Sequence, residues 1–257
     1  MSVCELDLDV FQSKHLPTVT LVSITGVNIH QTIFALWRSS RRLKFHSVLL
    51  ITDKKIRYQL PWLEVVQLEK FKLDSIDAYS YFCVYELFKW IKTDHVLLIQ
   101  ADGYVVRPKL WDSEFLKYDY IGAPWPIIEN SYIDPQGVHQ RVGNGGFSLR
   151  SWKLLNVPNL SHVVWAVNDN DFYRHYGYGL QSEDGIICIH NRLLYEKQGC
   201  KFAPLSIAAK FSTETKLPES VKSFGFHKNL PDIRSHFTDI FLRLIFGAIN
   251  LRIRAGK

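Results

Sequence analysis

Thr18-Val19-Thr20-Leu21-Val22-Ser23-Ile24, then Thr25-Gly26-Val27-Asn28, then apolar residues at Ile29, Ile33, Leu36 and Trp37: this opening run decides the fold class. Its first seven residues are β-branched or apolar almost throughout, which reads as a strand buried on both faces. Thr25 to Asn28 make a turn. The apolar spacing that follows is that of one helix face, with Asn28 the expected cap. Arg38, Arg41 and Arg42 close the helix at the end that favours cations. Ser47 to Thr52 form a second strand, ending at Asp53. A strand, a helix and a strand in that order imply a parallel pair joined by a right-handed crossover.

The alternation continues outward from there. Ser75 to Ile91 is a strongly apolar helical stretch, capped by Asp74 or Ser75 and expected to be buried nearly all round. Val96-Leu97-Leu98-Ile99 is a core strand ending in Gln100-Ala101-Asp102-Gly103. Ligands of open α/β sheets collect at the carboxyl ends of strands, so Asp102 stands where a ligand would bind. Tyr120 to Pro126 read as a short strand breaking into a rigid loop, and Phe147-Ser148-Leu149 as a further strand. Asp184 to Glu196 carry apolar residues at helical spacing. The expected architecture is α/β: a mixed, mostly parallel, Rossmann-like sheet flanked by helices. Residues 1–233 form one domain, followed by a basic amphipathic tail over 234–257.

Composition narrows the function. A hydrophobic share of 47% supports a sizeable core, and the 14% aromatic share, with 7 Trp and 12 Tyr, suits carbohydrate binding as well as packing. Cys4, Cys83, Cys188 and Cys200 have no zinc-knuckle or redox spacing, and Cys83 and Cys188 read as small core residues. The first residues lack the basic and apolar regions of a secretory signal, and no segment is apolar enough to span a bilayer. A reducing, cytoplasmic setting is expected. Arg234, Arg243, Arg252, Arg254 and Lys257 face only Asp239 in the tail, among many apolar residues. Such a segment either docks on the core or lies on a membrane surface, here the inner face of the cell membrane. The basic residues elsewhere form no dense stripe, which disfavours nucleic acid. Phosphate-loop and dinucleotide glycine motifs are missing. Asp169-Asn170-Asp171 follows no strand and reads as a solvated turn.

Two loops carry the chemistry: Gly143-Asn144-Gly145-Gly146-Phe147-Ser148-Leu149-Arg150 and Tyr176-Gly177-Tyr178-Gly179-Leu180-Gln181-Ser182-Glu183-Asp184. Glycine lets backbone approach a ligand closely, aromatic faces cover the apolar side of a sugar ring, and a carboxylate can take a hydroxyl proton. Acids in a first helical turn are favoured structurally, and the same environment keeps a carboxylate ionised, so Glu183 and Asp184 suit both a structural and a basic role. Asp102 can hold a divalent cation. His227 can complete the metal shell, and Lys228 can neutralise phosphate charge.

Taken together, these segments resemble glycosyltransferases of the GT-A fold. More narrowly, the chain is similar to a largely uncharacterised family of proposed glycosyltransferases, catalogued as a domain of unknown function and frequent in polysaccharide synthesis. The likeness rests on Leu98-Ile99-Gln100-Ala101-Asp102, Tyr118 to Trp125, Gly143 to Arg150, Ser182-Glu183-Asp184 and Phe224 to Lys228. It runs from about Thr18 to Lys228. Tyr176-Gly177-Tyr178-Gly179 before Glu183-Asp184 is also similar to the Trp-Gly-Trp-Gly and Glu-Asp stretch of galactosyltransferases of that fold. This resemblance implies Asp184 as base, with Glu183 holding an acceptor or donor hydroxyl. It implies Mn²⁺ or Mg²⁺ on Asp102 and His227. One position departs from the usual Asp-x-Asp metal motif: Gln100 stands for the first acid, able to reach a ribose hydroxyl but weakening the metal site. Lys228 and Arg150 are further candidates for neutralising a leaving diphosphate.

The expected reaction moves a sugar, with UDP-hexose the favoured donor, to a glycan or lipid-linked glycan acceptor with inversion. The donor lies across the strand ends, against Thr25, Gly26, Val27, Asp53, Gln100, Asp102, Gly145, Gly146 and Lys228, with Trp125, Tyr176 and Tyr178 toward the acceptor. The alternatives are a catalytically inactive nucleotide-sugar or glycan-binding module and a membrane-peripheral scaffold.

Overall fold

The computed structural model describes residues 14–57, 59–129, 132–165, 182–214 and 222–228. The basic tail over 234–257, Tyr176, Tyr178, Asp169 to Asp171 and Cys4 lie outside the described residues. The opening run folds as its pattern dictates. After the short strand β1 (Lys14–Leu16) come β2 (Val19–Ile24), helix α1 (Ile29–Ser40), β3 (Leu43–Phe45) and β4 (Val48–Thr52). All six residues of β2 are buried, because β2 is interior to a six-stranded sheet. That sheet also holds β5 (Glu64–Gln67), β6 (His95–Ile99), β8 (Tyr120–Ile121) and β9 (Phe147–Ser151), in the order β5-β4-β2-β6-β9-β8.

The first four strands of that order are parallel, while β9 runs antiparallel to both β6 and β8. The molecule is thus mixed α/β around a mostly parallel sheet. Alternate residues of the central strands feed the two faces. Val22, Val96 and Leu98 join one core with Phe82, Cys83 and Cys188, whereas Leu21, Leu97 and Ile99 join another with Ile33 and Leu36 from α1. Each such aliphatic side chain contributes about 1.5–3 kcal/mol on full burial. No helix of the described residues is long and apolar enough to cross a membrane.

Two features place the site. The chain leaves β2 toward β4 and β5, then returns to β6 on the other flank of β2. The strand order therefore reverses between β2 and β6, and a crevice opens at their carboxyl ends. The second is a small sheet built from β7 (Gly103–Val105), β10 (Ser212–Thr213) and β11 (Gly225–His227), in the order β10-β11-β7. It pins residues from distant parts of the chain beside the end of β6.

Local details differ from the sequence pattern. Asn28 takes the cap position of α1 in a left-handed conformation (φ 51°), and its side chain makes no cap bond. It serves as a backbone turn that asparagine tolerates. Ser75, not Asp74, caps helix α2 (Ile76–Tyr81), its hydroxyl accepting from the Ala78 N–H at 3.1 Å. The stretch to Ile91 is not one buried helix. It passes through a π-helical turn (Phe82–Glu86) into a 3₁₀ turn (Leu87–Trp90), with Ile76, Tyr81 and Trp90 exposed. The predicted helix over Asp184 to Glu196 is likewise divided: one α-turn (Glu183–Gly185), a π-helical turn (Ile186–His190), then Arg192–Lys197. Asn191 sits at the break and binds the Val164 backbone through both its oxygen and its nitrogen.

Burial pushes His190 down to about 4 from its ordinary 6.5, and burial also lowers His95 in spite of its contact with the Tyr118 carbonyl. Both are folded as neutral imidazoles, so their contribution is complete above pH 6.5 and lost as pH falls. For His190 the window runs from 6.5 to about 4, at about 1.4 kcal/mol per pH unit and about 3 kcal/mol in total. His190→Asn should flatten the decline of melting temperature across that window. An unchanged slope would show that His190 does not contribute to it.

Candidate active site

A cleft of about 900 Å³ opens at the carboxyl ends of β2 and β6. Asp102, Asp184 and His227 all line it, although 125 residues separate the first from the last. All four described non-glycine residues with positive φ also line it: Asn28 (51°), Tyr132 (59°), Asn144 (56°) and Lys228 (54°). Backbone of this kind costs of order 1 kcal/mol or more per residue and gathers at functional sites.

One wall is the glycine loop that enters β9. Asp184 is anchored to it: Oδ2 accepts from the Gly145 N–H at 3.0 Å, and Oδ1 from the N–H of Gly185 at 2.8 Å. Both oxygens are held while the carboxylate borders the open cleft. Glu183 also borders the cleft, but its carboxylate is turned to Arg150. Only 4% exposed, its Oε1 lies 2.8 Å from Arg150 Nη2. Arg150 is wholly buried, donates from Nε to Ser148 Oγ at 3.0 Å and lies over the Tyr120 ring. That placement corrects one expectation: Arg150 is spent beneath the loop and does not face a diphosphate. A side chain on Gly145 would strike the Glu183 carboxylate, and one on Gly146 the His227 imidazole. The loop therefore needs glycine to sit between these two groups.

The opposite wall comes from the small sheet. β11 pairs antiparallel with β7, setting His227 opposite Gly103, and the Lys228 N–H donates to the Asp102 carbonyl at 3.1 Å. β10 pairs parallel with β11, Thr213 opposite Phe226, so Glu214 follows in register beside His227. His227 Nε2 lies 3.2 Å from Asp102 Oδ1 and 3.1 Å from Gln100 Oε1. Its Nδ1 lies 3.3 Å from Glu214 Oε1, which also faces Lys228 Nζ at 3.3 Å. The Nδ1 contact is an ion pair, not a well-aligned hydrogen bond. Burial works against charge on His227, but the two carboxylates prevail and raise its pKa. Burial likewise opposes, and His227 outweighs, in holding Asp102 and Glu214 below the usual carboxylate range. Lys228 is raised by Glu214 against its partial burial.

Thr25, Gly26 and Val27 form the corner of the cleft after β2, where the Val27 N–H donates to Thr25 Oγ1 at 3.1 Å. Asp53 is not brought to the cleft. Its buried side chain stands behind Gly26 and pairs with Lys54 at 3.0 Å. Gln100 lines the cleft, with its amide donating to the Tyr79 hydroxyl at 3.0 Å, so it is engaged on both sides. Trp125 borders the cleft but is only 3% exposed, stacked on Tyr132 at 4.6 Å and packed over Gly143. It acts as a wall and does not present an open ring face. Tyr176 and Tyr178 lie outside the described residues.

Asp102 and His227 offer an oxygen and an imidazole nitrogen close together, with the Gln100 carbonyl beside them. This donor set suits Mn²⁺ or Mg²⁺ brought in with a diphosphate, since such ions take few protein ligands and complete their shell with water and phosphate oxygens. Among the described residues no three His, Cys, Asp or Glu side chains are grouped to hold an ion alone, so substrate oxygens would have to complete the shell. Sequence reading missed Glu214 and Tyr79. Glu214 sits in Ser212-Thr213-Glu214-Thr215, which resembles no motif, and only the β10–β11 register brings it to the site.

A model of one family, described as Protein of unknown function (DUF5672), matches residues 62–227. The match takes in every segment of both cleft walls from β6 to His227 and begins after β4. No curated protein matches the chain.

Proposed function

The chain belongs to the DUF5672 family of proteins of unknown function, and within that family we propose that it is a glycosyltransferase acting on a nucleotide diphosphate sugar. The observation that carries this reading is the meeting of Asp184 with the Asp102–His227 pair across one cleft at the sheet's switch point. A carboxylate fixed by two backbone donors faces a group of polar side chains suited to a diphosphate, with room for a sugar between them.

The donor lies with its nucleoside toward Thr25 to Val27 and its diphosphate toward Asp102, His227 and Lys228. A bound Mn²⁺ or Mg²⁺, held by Asp102 and His227, supplies charge stabilisation on the departing phosphate. Lys228 adds a fixed cation on the same side. Asp184 takes the proton of an acceptor hydroxyl. The hydroxyl oxygen then forms its bond to the anomeric carbon as the bond from that carbon to the diphosphate oxygen breaks, and the electron pair leaves with the nucleoside diphosphate. Attack from the face opposite the diphosphate inverts the anomeric centre. UDP-hexose is the favoured donor and a glycan or lipid-linked glycan the favoured acceptor. Gly145 and Gly146 line the cleft beside the sugar's path, the space of their missing side chains being taken by Glu183 and His227.

A donor screen tests the reading. The full chain is incubated with a panel of nucleotide sugars, with and without Mn²⁺, and released nucleotide and thermal shift are both recorded. At least one donor should release nucleotide and raise the melting temperature in the presence of Mn²⁺. A thermal shift without turnover on any acceptor would favour a binding module, and silence across the panel would overturn the reading.

A further inference from the structure

We propose that Asn144 is a substrate-binding residue, its carboxamide forming a hydrogen bond with a hydroxyl of the hexose of a UDP-hexose donor. The inference rests on the transferase reading in taking that donor as the occupant of the cleft. Asn144 lines the cleft yet is only 3% exposed. Its Oδ1 is buried and accepts no hydrogen bond. An acceptor stripped of water and left unpaired is costly, and native structures seldom keep one without a use. The backbone of Asn144 is left-handed, at φ 56°. Asparagine tolerates that conformation, but glycine adopts it at no steric cost, and the loop already has glycine at Gly143, Gly145 and Gly146. Backbone shape alone therefore gives no reason for a side chain at this position. A hydroxyl partner supplies one.

The surroundings fix both the residue and its place. Gly122 packs so closely on the Gly143 and Asn144 carbonyls that a Cβ there would strike both. Trp125 packs against Gly143, and the Ser148 hydroxyl donates to the Gly145 carbonyl at 3.0 Å. Strained backbone persists where packing over-determines it in this way. Next along the loop, the Gly145 N–H carries Asp184 at 3.0 Å, and Gly146 lies against the His227 ring. The loop thus runs from the base to the diphosphate side, and a hexose between them passes beside Asn144. A carboxamide offers an acceptor and two donors, which matches a sugar hydroxyl that both donates and accepts. Its terminal torsion is soft, so the amide can turn to meet the ring.

The test measures binding of UDP, UDP-glucose, UDP-galactose and their N-acetylated forms to the full chain by calorimetry, with Mg²⁺ present throughout. UDP lacks the hexose and so reports the rest of the site. Asn144→Gly should weaken binding of a UDP-hexose about three- to tenfold, the loss of one hydrogen bond, and leave UDP affinity within about twofold. Its melting temperature should equal or exceed that of the wild type, because glycine relieves the left-handed backbone and removes the unpaired oxygen. A second readout needs no variant. In ¹⁵N spectra of the wild type, the side-chain amide signals of Asn144 should move with a UDP-hexose and stay in place with UDP. Three results overturn the assignment of Asn144 alone: UDP-hexose affinity unchanged in Asn144→Gly, equal losses for UDP and UDP-hexose, or amide signals indifferent to the hexose. Wild-type protein that binds UDP but none of the UDP-hexoses overturns it as well. Wild-type protein that binds none of these nucleotides overturns both Asn144 and UDP-hexose as the donor. Sugar transfer is scored separately by the donor screen.

Discussion

Asp184→Asn should lower sugar transfer about a thousandfold and leave donor binding within about threefold. The amide has nearly the shape of the carboxylate, and its oxygen can still accept from Gly145, the bond that ties this residue to the glycine loop. What it loses is the capacity to take a proton. One backbone donor, that of Gly145 or Gly185, then faces an amide N–H, which costs about 1 kcal/mol and should lower the melting temperature slightly. Donor affinity survives because the diphosphate side of the cleft is built from other segments, those of Asp102, His227 and Lys228. The measurements are turnover at saturating donor and thermal shift by the same donor. Transfer that persists near the wild-type rate would remove Asp184 from the chemistry. A binding module would keep its thermal shift in both proteins and show turnover in neither.

The sequence pattern was most legible where each residue's fate is set by its neighbours in the chain. The β-branched run of β2 and the apolar runs of β4 and β6 have one stable location, the interior of a parallel sheet, and the carboxyl end of β6 then places Asp102 at the crevice. Asn28 and Ser75 were readable as helix starts, although asparagine's tolerance of left-handed backbone won over side-chain capping. The stretch from Ser75 to Ile91 misled because apolar content says little about which face is covered. Tyr81 packs on Tyr85 and Trp165 at the surface, a contact no local periodicity encodes. Glu214 was illegible for a similar reason, since only the β10–β11 register brings it beside His227. Trp125 reads as an acceptor-side aromatic, yet it is nearly buried, stacked on Tyr132 and packed against Gly143.

Glu183 poses the sharpest choice between chemistry and scaffold, and removing its charge should be costly whichever holds. Glu183→Ala leaves the Arg150 guanidinium buried without its carboxylate, and breaking such a pair destabilises a protein by about 3–5 kcal/mol. Burial and the neighbouring Asp184 push the Glu183 carboxyl upward, and Arg150 pulls it back down. The pair is therefore held by geometry: the 2.8 Å contact, the Ser148 hydroxyl on Nε, and the bond from that hydroxyl to the Gly145 carbonyl at 3.0 Å. This chain runs from Glu183 back to the loop that anchors Asp184. Replacing both partners, Glu183→Leu with Arg150→Met, should recover most of the lost stability, since apolar residues of similar volume often match a buried ion pair. Activity then separates the roles. If Glu183 serves only to brace the loop, the double variant should transfer sugar within about tenfold of wild type once its melting temperature is restored. If Glu183 itself holds a substrate hydroxyl, the double variant should fold well and stay inactive. The depth of Glu183 and the complete burial of its partner favour the first result.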